Sequence, residues 1–346
     1  MDIKQAIKTV TSGQDLSTDD MIAVMRDIMT GKSTDAQNAA FLVGLQMKGV
    51  KPQELLGGAR VMRELVTPVK VTAHPHLVDT CGTGGSGSNK FNVSTAAAIV
   101  AACAGAKVAK HGNRGASSKS GSADVLEAAG VALTLTPEQA GKTIDTVGVG
   151  FMFAPAHHSA MKHVITARKE IGVRTVFNLL GPLTNPAGAP NQLMGVFDPR
   201  WIAPLLEVFR ELGSKHVLVV SSDDGLDEIS TSAATQVGEL KDGKVSQYTI
   251  APEDFGMPRR KDYSALQINN AQESLDLLRQ ALGNANAEAA DIVALNAGAA
   301  IYVAGLADSL VAGVDQAKAI LRSGAALKKL QALAEFTNQQ SGKSAS

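Results

Sequence analysis

The sequence predicts an α/β protein with a small N-terminal α-helical domain and a large domain built on a mainly parallel sheet. Residues up to about 70 show only helical periodicity, whereas from about residue 77 short apolar runs alternate with glycine loops and helical segments. That alternation is typical of parallel strands joined by helices. Glycine contributes 33 of 346 residues, which suits close helix packing and loops that approach a ligand.

Three helices are predicted in the first domain from capping and stopping residues. The first begins after Ser17 and ends at Gly31, the second begins after Ser33 or Thr34 and ends at Gly49, and the third begins at Pro52 and ends before Pro68. We therefore expect a helical domain over residues 1–70, with a contribution from about 166–190, and an α/β domain over residues 71–346.

Within the α/β domain, apolar runs and helical spacing alternate along the chain. Strands are predicted at residues 77–79, 107–109, 131–135, 149–153, 193–197 and 217–220. Helices are predicted at residues 94–104, 123–129, 137–147 and 201–212, with further helices between 271 and 336, and one helix is expected to run from His158 to Arg168. We expect only residues 339–346 to be disordered.

Composition excludes several classes of function. Lys plus Arg and Asp plus Glu each number 33, so the net charge is zero and no overall field favours nucleic acid or an anionic membrane. Cys81 and Cys103 form no CxxC pair, and hence neither a disulfide framework nor a zinc site is expected. The N-terminus lacks an apolar signal region and no run of 18 apolar residues occurs, so a cytoplasmic protein is expected.

A glycine loop follows the first predicted strand. Gly82, Gly84, Gly85 and Gly87 are followed by Ser94 and Thr95 at a helix start. Backbone amides exposed by such a loop, together with those of a helix N-terminus, bind phosphate. The loop is neither a Walker A motif nor a GxGxxG fingerprint, and it could simply turn the chain. We nonetheless predict a phosphate site here.

Two further clusters follow predicted strands. Lys110 to Ser122 supplies cations, hydroxyls and glycines for a second anion cradle, because ligands of parallel sheets bind at the carboxyl ends of strands. The acidic run that ends in Asp227 and Glu228 is either a solvated turn or a magnesium site, and two nearby phosphate cradles favour magnesium. Arg168 suits bidentate carboxylate binding, although an isolated arginine is more often solvated.

Taken in order along nearly the whole chain, these motifs resemble the anthranilate phosphoribosyltransferases. The shared motifs are 82–85 (GTGG), 92–95 (NVST), 110–114 (KHGNR), 120–124 (SGSAD), the segment from His158 to Arg168, 174–178, 181–186 (GPLTNP), and Asp227 with Glu228. The resemblance implies transfer of phosphoribose from phosphoribosyl pyrophosphate (PRPP) to the amine of anthranilate, with Mg²⁺. It also implies a hinge between the two domains and a homodimer formed through the helical domains.

The resemblance also implies roles for individual residues. PRPP is expected to contact Gly82, Gly85, Ser86, Lys90, Asn92, Val93, Ser94, Thr95, Lys110, His111, Gly112, Asn113, Arg114, Gly115, Ala116, Ser117, Ser118 and Ser122. Anthranilate is expected near Gly82, Asn113, His158 and Arg168, and Mg²⁺ at Ser94, Asp227 and Glu228. No protein nucleophile is expected, because charge placement and positioning suffice for loss of pyrophosphate.

The chain departs from the family pattern at a few positions. Ser86 stands where the family usually has Asp, Lys90 where it often has Thr, Ser159 where it often has Pro, and Gly115-Ala116 replace Ala-Val. The first two changes make the glycine loop more positive. We hypothesise that Lys90 contacts a PRPP phosphate and partly substitutes for a metal ion. The alternative is a lysine that points into solvent.

Two other functions share this architecture. A pyrimidine nucleoside phosphorylase would cleave thymidine or uridine with phosphate. A non-enzymatic, nucleic-acid-binding relative would show a basic surface and would lack the anthranilate contacts, whereas this chain is neutral overall and retains Asn113 and Arg168.

Overall fold

We describe the structure from a computed structural model, which covers residues 1–115 and 118–342. The N-terminal region consists of four helices: α1 (Ile3–Thr11), α2 (Thr18–Met29), α3 (Asp35–Lys48) and α4 (Pro52–Leu65). The predicted N-caps of α2 and α3 are confirmed, since the side chains of Ser17 and Thr34 accept hydrogen bonds from backbone amides of these helices. Helix α1 was not predicted, although Asp2 and Gln5 form a capping box at its start.

The second region is built on one seven-stranded sheet. Its strands are β1 (Leu77–Asp79), β2 (Lys107–Gly112), β3 (Val149–Phe153), β4 (Asn191–Gly195), β5 (His216–Ser222), β6 (Thr235–Lys241) and β7 (Lys244–Ile250). Their order is β3-β2-β1-β4-β5-β6-β7, with β1 to β5 parallel and β6 and β7 antiparallel. The mainly parallel sheet is thus confirmed, while the β6–β7 hairpin was not predicted.

The helices after β1 are α5 (Val93–Cys103), α6 (Ser122–Ala128), α7 (Pro137–Val147), α8 (Ala154–His157), α9 (Ile165–Ile171), α10 (Phe177–Leu180), α11 (Ile202–Glu211), α12 (Ala271–Leu282), α13 (Ala287–Val303), α14 (Leu310–Ser323) and α15 (Ala325–Gln340). Small residues bring α13 and α14 close together, because a Cβ on Gly298 would lie 2.5 Å from the backbone of Val314. The abundance of glycine therefore serves packing here as well as loops. Residues 339 and 340, expected to be disordered, belong to α15, and residues 343–346 lie outside the described residues.

Two further sequence predictions were wrong. Residues 131–135 alternate buried and exposed side chains but form no strand. The amide of Ala132 donates to the hydroxyl of Thr337 on α15 at 3.1 Å rather than to a neighbouring strand. The segment from His158 to Arg168 is not one straight helix, since a 3₁₀ turn at Ser159–His163 separates α8 from α9.

The segment that carries α9 and α10 packs on the N-terminal helices. Its buried residues Val164, Phe177 and Leu180 join the same apolar cluster as Phe41 and Leu55. Polar contacts reinforce this packing, since Arg63 Nε donates to Leu183 O at 2.7 Å and Asn38 Nδ2 donates to His163 O at 3.0 Å. Residues far apart in sequence therefore share one core with the helical bundle.

Membrane crossing by a helix requires both length and a continuous apolar surface. None of the helices in the described residues combines the two.

Candidate active site

The candidate site lies where the strand order of the sheet reverses. From β1 the chain adds β2 and β3 on one side, and β4 and β5 then lie on the other side. Ligands of open α/β sheets bind outside the carboxyl ends of the two strands at such a switch point. Here the glycine loop leaves β1, and Gly195 ends β4.

Glycine is required where these two strand ends meet. A Cβ on Gly82 would lie 2.7 Å from the carbonyl oxygen of Gly195, and the amide of Thr83 donates to that same oxygen at 2.9 Å. A side chain on Gly195 would in turn overlap the backbone of Asp227. The glycine loop, the end of β4 and the acidic turn after β5 are therefore in direct backbone contact.

The far end of the glycine loop is held by a short antiparallel contact with residues 266–268. The amide of Phe91 donates to Leu266 O at 2.9 Å, and the amide of Ile268 donates to Asn89 O at 2.8 Å. Lys90 lies between these two bonds, opposite Gln267. Helix α5 begins directly afterwards, so its N-terminal amides and the hydroxyl of Ser94 lie next to the loop.

A buried acidic pair faces Lys90. Asp227 and Glu228 follow β5 and its turn, and both are less than one-tenth exposed. Nζ of Lys90 donates to Oδ1 of Asp227 at 2.5 Å and lies 3.9 Å from Oε1 of Glu228. Lys90 therefore does not point into solvent, as its side chain is only 10% exposed.

The electrostatics of this cluster are uneven. Burial raises the pKa of Glu228 to about 7, against the opposing charge of Lys90 and with the help of the charge on Asp227. Burial also opposes ionisation of Asp227, but the charge and hydrogen bond of Lys90 outweigh it and lower the pKa of that carboxyl. One cation thus satisfies one of the two carboxylates.

A second lysine, Lys110, is buried between the end of β1 and the start of α5. Nζ of Lys110 donates to the carbonyl of Thr80 at 3.1 Å and to the hydroxyl of Ser94 at 3.3 Å. Beside it, burial raises the pKa of Asp79 to about 6, although the charge of Lys110 and a hydrogen bond from Asn185 favour the ionised form. Asp79 and Asn185 were not among the predicted site residues, although a charged residue that ends an apolar strand is a signal for such a role.

Residues of the second predicted cradle contact two different parts of the structure. Oδ1 of Asn92 accepts hydrogen bonds from Ser120 and Ser274, at 2.8 and 2.7 Å, which ties the start of α5 to this loop. The guanidinium of Arg114, in contrast, pairs with Asp124 at 3.0 Å and with Glu127 at 2.7 Å on the outer side. Its PRPP contact, like that of the other cradle residues, stays a prediction.

The remaining predicted PRPP residues lie along the loop and the cradle. Ser86 and Ser88 exchange a hydrogen bond of 3.0 Å, Ser118 Oγ donates to Ser120 O at 3.2 Å, and Ser122 Oγ donates to Asn113 O at 3.3 Å. Val93 and Thr95 are buried in the first turn of α5. Gly85, His111, Gly112 and Gly115 belong to the same two segments, while Ala116 and Ser117 lie outside the described residues.

The predicted anthranilate residues come from two segments. The rings of His111 and His158 lie 5.0 Å apart, and burial lowers their pKa values to about 3 and about 4, with the neighbouring histidines, and Lys110 in the case of His111, acting in the same direction. Arg168 is half-buried on α9, with its guanidinium 5.1 Å from the ring of Phe177. No carboxylate of the described residues forms an ion pair with Arg168, which leaves it free to bind an anion.

Sequence reasoning included Arg174 in the shared motif at 174–178 but gave it no role. Its guanidinium lies 4.3 Å from the ring of Phe197, and its Nη2 donates to the carbonyl of Gly85 in the glycine loop. Arg174 therefore links the segment that carries α9 and α10 to the predicted phosphate loop through contacts that no local pattern would indicate.

The donor set fits a magnesium ion that takes further ligands from phosphate and water. Among residues 1–115 and 118–342, no three His, Cys, Asp or Glu side chains cluster closely enough to hold a metal by themselves. Asp227, Glu228 and the Ser94 hydroxyl supply hard oxygen atoms, as Mg²⁺ requires. Only one ammonium, that of Lys90, lies within 4 Å of these two carboxylates in the described residues, so a further cation would find unpaired oxygen atoms there.

The fold and the site define the class of protein. Residues 4–66 match the glycosyl transferase family helical bundle domain, and residues 74–327 match the a/b domain of the same family. Anthranilate phosphoribosyltransferase from Thioalkalivibrio sulfidiphilus is 58% identical over 97% of this chain and 99% of its own length. The corresponding protein of Hahella chejuensis is also 58% identical, over 97% of this chain and 98% of its own length.

Solved structures agree with the sequence relatives. The crystal structure of anthranilate phosphoribosyltransferase from Thermus thermophilus has a TM-score of 0.90 and 44% identity, over 96% of this chain and 99% of that chain. The chain belongs to the anthranilate phosphoribosyltransferase family. The Saccharomyces cerevisiae protein, solved in complex with PRPP and Mg, shares the fold with a TM-score of 0.88 at 24% identity, over 97% of this chain and 98% of that chain.

Proposed function

We propose that this protein transfers phosphoribose from PRPP to the amine of anthranilate, releasing pyrophosphate with the help of Mg²⁺. The observation that supports this most is the meeting of a glycine loop, a helix N-terminus and a buried acidic pair at one switch point. Amides bind phosphate oxygens, and carboxylates hold the metal that neutralises them. The family membership agrees with this chemistry.

The chain's own residues act by placing charge. The glycine loop, the amides of α5 and the second cradle would hold the phosphates, and Lys110 would keep the hydroxyl of Ser94 oriented through its hydrogen bond. Asp227, Glu228 and Ser94 would hold Mg²⁺, which when bound neutralises charge on the leaving pyrophosphate. A positioned amine then attacks the ribose carbon as positive charge develops there, so the site needs no protein nucleophile.

Anthranilate would bind on the side of His158 and Arg168. The substrate's carboxylate needs a cation, and Arg168 is a half-buried guanidinium that forms no ion pair within the described chain. The resemblance assigns Asn113 and Gly82 to the same binding site. Burial lowers the pKa values of His111 and His158 far below neutral, so both imidazoles would face the substrate as uncharged rings.

Fluorescence of anthranilate tests the proposal directly. Its emission should fall when enzyme, PRPP and Mg²⁺ are all present, and it should stay constant when any one is omitted or when EDTA is added. Constant emission in the complete mixture would contradict the proposal. Parallel reactions with uridine or thymidine and phosphate would then reveal a nucleoside phosphorylase.

Arg168→Ala tests the anthranilate site. We expect the KM for anthranilate to rise about tenfold to a hundredfold, because a charge-assisted hydrogen bond contributes about 1.5–3 kcal/mol. The KM for PRPP should change little. Lys169→Ala, an exposed change on the same helix, is the matched control and should leave both constants unchanged. An unchanged KM for anthranilate in Arg168→Ala would remove Arg168 from the site.

We also propose the domain division and assembly that the resemblance implies: residues 1–70 with about 166–190 as the helical domain, residues 71–346 as the α/β domain, and a homodimer through the helical domains. Met47 on α3 is 84% exposed, and Ile165 on the neighbouring α9 is 45% exposed, so apolar side chains face outward there. Light scattering should give twice the mass of 35.8 kDa. A monomer mass at micromolar concentration would contradict the dimer.

A further inference from the structure

Lys90 differs from most lysines in where its charge lies. Its side chain is 10% exposed, and its ammonium contacts one carboxylate and approaches a second. The two carboxylates beside the ammonium offset the cost of burying it. The cation is therefore stable in a place where lysines are rarely found.

Backbone hydrogen bonds fix the position of the Cα atom of Lys90. Lys90 is bracketed by two backbone hydrogen bonds, from Phe91 to Leu266 and from Ile268 to Asn89, at 2.9 and 2.8 Å. Gln267 adds a third bond, from Nε2 to the carbonyl of Ser88 at 3.2 Å. A pinned Cα leaves the side-chain torsions as the main freedom of the ammonium, so its approach to Asp227 is prepared by the fold.

The place that Lys90 occupies is the one a divalent ion would need. A Mg²⁺ on Oδ1 of Asp227, at about 2.1 Å, would lie within roughly 5 Å of an ammonium that remained on the same oxygen. The two cations repel at that separation, and the buried setting screens them poorly. Metal binding to this oxygen is therefore opposed for as long as its hydrogen bond to Lys90 is kept.

We propose that Lys90 is a resident cation of the Asp227–Glu228 pair, which weakens the binding of free divalent metal to the substrate-free protein. The inference rests on the proposed function for the identity of the metal ligands. It assigns to Lys90 a specific role: metal enters this site chiefly together with a polyphosphate, whose negative charge gives the displaced ammonium a new partner. A PRPP phosphate is that partner in the proposed reaction.

Mn²⁺ binding to the substrate-free protein tests this role without any turnover. Electron paramagnetic resonance counts free Mn²⁺, and the probe is Mn²⁺ alone, with neither PRPP nor anthranilate present. We expect Lys90→Gln to bind Mn²⁺ about tenfold more tightly than the wild type or better, because no charge-assisted hydrogen bond has to be broken. Lys90→Arg keeps the charge and should bind as weakly as the wild type.

A double variant locates the gained binding. Asp227→Asn in the Lys90→Gln background should return Mn²⁺ affinity to the wild-type level. If the double variant still binds Mn²⁺ more tightly than the wild type, the metal binds elsewhere and the proposal is overturned. Equal Mn²⁺ affinity of the wild type and Lys90→Gln would overturn it as well.

Folding is checked by circular dichroism melting. Lys90→Met, which lacks the charge but keeps a long side chain, replaces Lys90→Gln if that variant does not fold. The outcomes also separate the two proposals. A wild-type protein that does not transfer phosphoribose to anthranilate would contradict the proposed function. The Mn²⁺ comparison depends only on the contact between Lys90 and the acidic pair.

Discussion

Two buried acidic clusters lie at opposite ends of β5, and their carboxylates differ in the number of side-chain donors that contact them. At the start of the strand, Glu239 of β6 accepts hydrogen bonds from His216 at 2.9 Å, Tyr248 at 2.9 Å and Tyr302 at 2.8 Å. Beyond the end of the strand, Asp227 and Glu228 share a single lysine, which lies 3.9 Å from Glu228. Both clusters are largely shielded from solvent.

The pKa values of the two glutamates separate accordingly. At Glu239, burial opposes the charge, but hydrogen bonds from His216, Tyr302 and Tyr248 outweigh it and lower the pKa to about 2. At Glu228, burial prevails and raises the pKa to about 7. A buried carboxylate with a complete set of donors stabilises the fold, whereas one left incomplete is available to a ligand. The sheet thus carries a fully hydrogen-bonded glutamate at one end and, at the other, an incompletely paired glutamate that we propose as a metal ligand.

The largest expected effect comes from neutralising the acidic pair. Asp227→Asn combined with Glu228→Gln should lower turnover by about a thousandfold or more, since metal ions supply several kcal/mol of transition-state stabilisation. The melting temperature should fall, because the double variant leaves the buried ammonium of Lys90 without a carboxylate partner. Anthranilate fluorescence across a Mg²⁺ titration and thermal melts measure the two effects.

Asp223→Asn is the matched control for that variant, because Asp223 is an exposed carboxylate in the same turn. It should leave turnover unchanged. Normal turnover of the double variant across the titration would show that the comparison between the two clusters is wrong about function.

Glu239→Gln should lose stability with little loss of activity, which separates it from the double variant. We expect the free energy of unfolding to fall by about 1–3 kcal/mol, because an amide cannot accept all the hydrogen bonds that the carboxylate accepts. Tyr248→Phe removes a single donor and should cost less. Urea denaturation measures both changes, and a Glu239→Gln variant that is as stable as the wild type would refute the structural role.

The pH dependence of that loss gives the smallest and most specific effect. The unfolded carboxyl has a pKa near 4.3, above the folded value of about 2, so Glu239 contributes its full stabilisation above about pH 5. The contribution is lost as the pH falls toward 2. The difference in unfolding free energy between wild type and Glu239→Gln should therefore shrink between about pH 5 and about pH 2.5. A difference independent of pH would mean that charge is not what stabilises this cluster.

Much of the local structure was readable from the sequence. Helix α7 was predicted with its observed bounds, because Thr136 caps it, Pro137 starts it and Gly148 ends it in a left-handed conformation. Strand β5 followed from four consecutive apolar residues. The strand predicted at residues 131–135 was wrong. Alternating burial of side chains does not by itself show that the backbone pairs with a neighbouring strand.

The site was predictable in its parts and not in its connections. Sequence by itself determined a glycine loop, two lysines, a hydroxyl-rich helix start and an acidic pair after a strand, because strand ends and helix starts have local signals. Only the tertiary structure decided that Lys90 meets Asp227, 137 residues away. Only it decided that Arg114 faces outward and that Arg174 reaches the glycine loop. The physical reason is that a contact between distant residues depends on strand order and on the path of the backbone, which no local sequence pattern specifies.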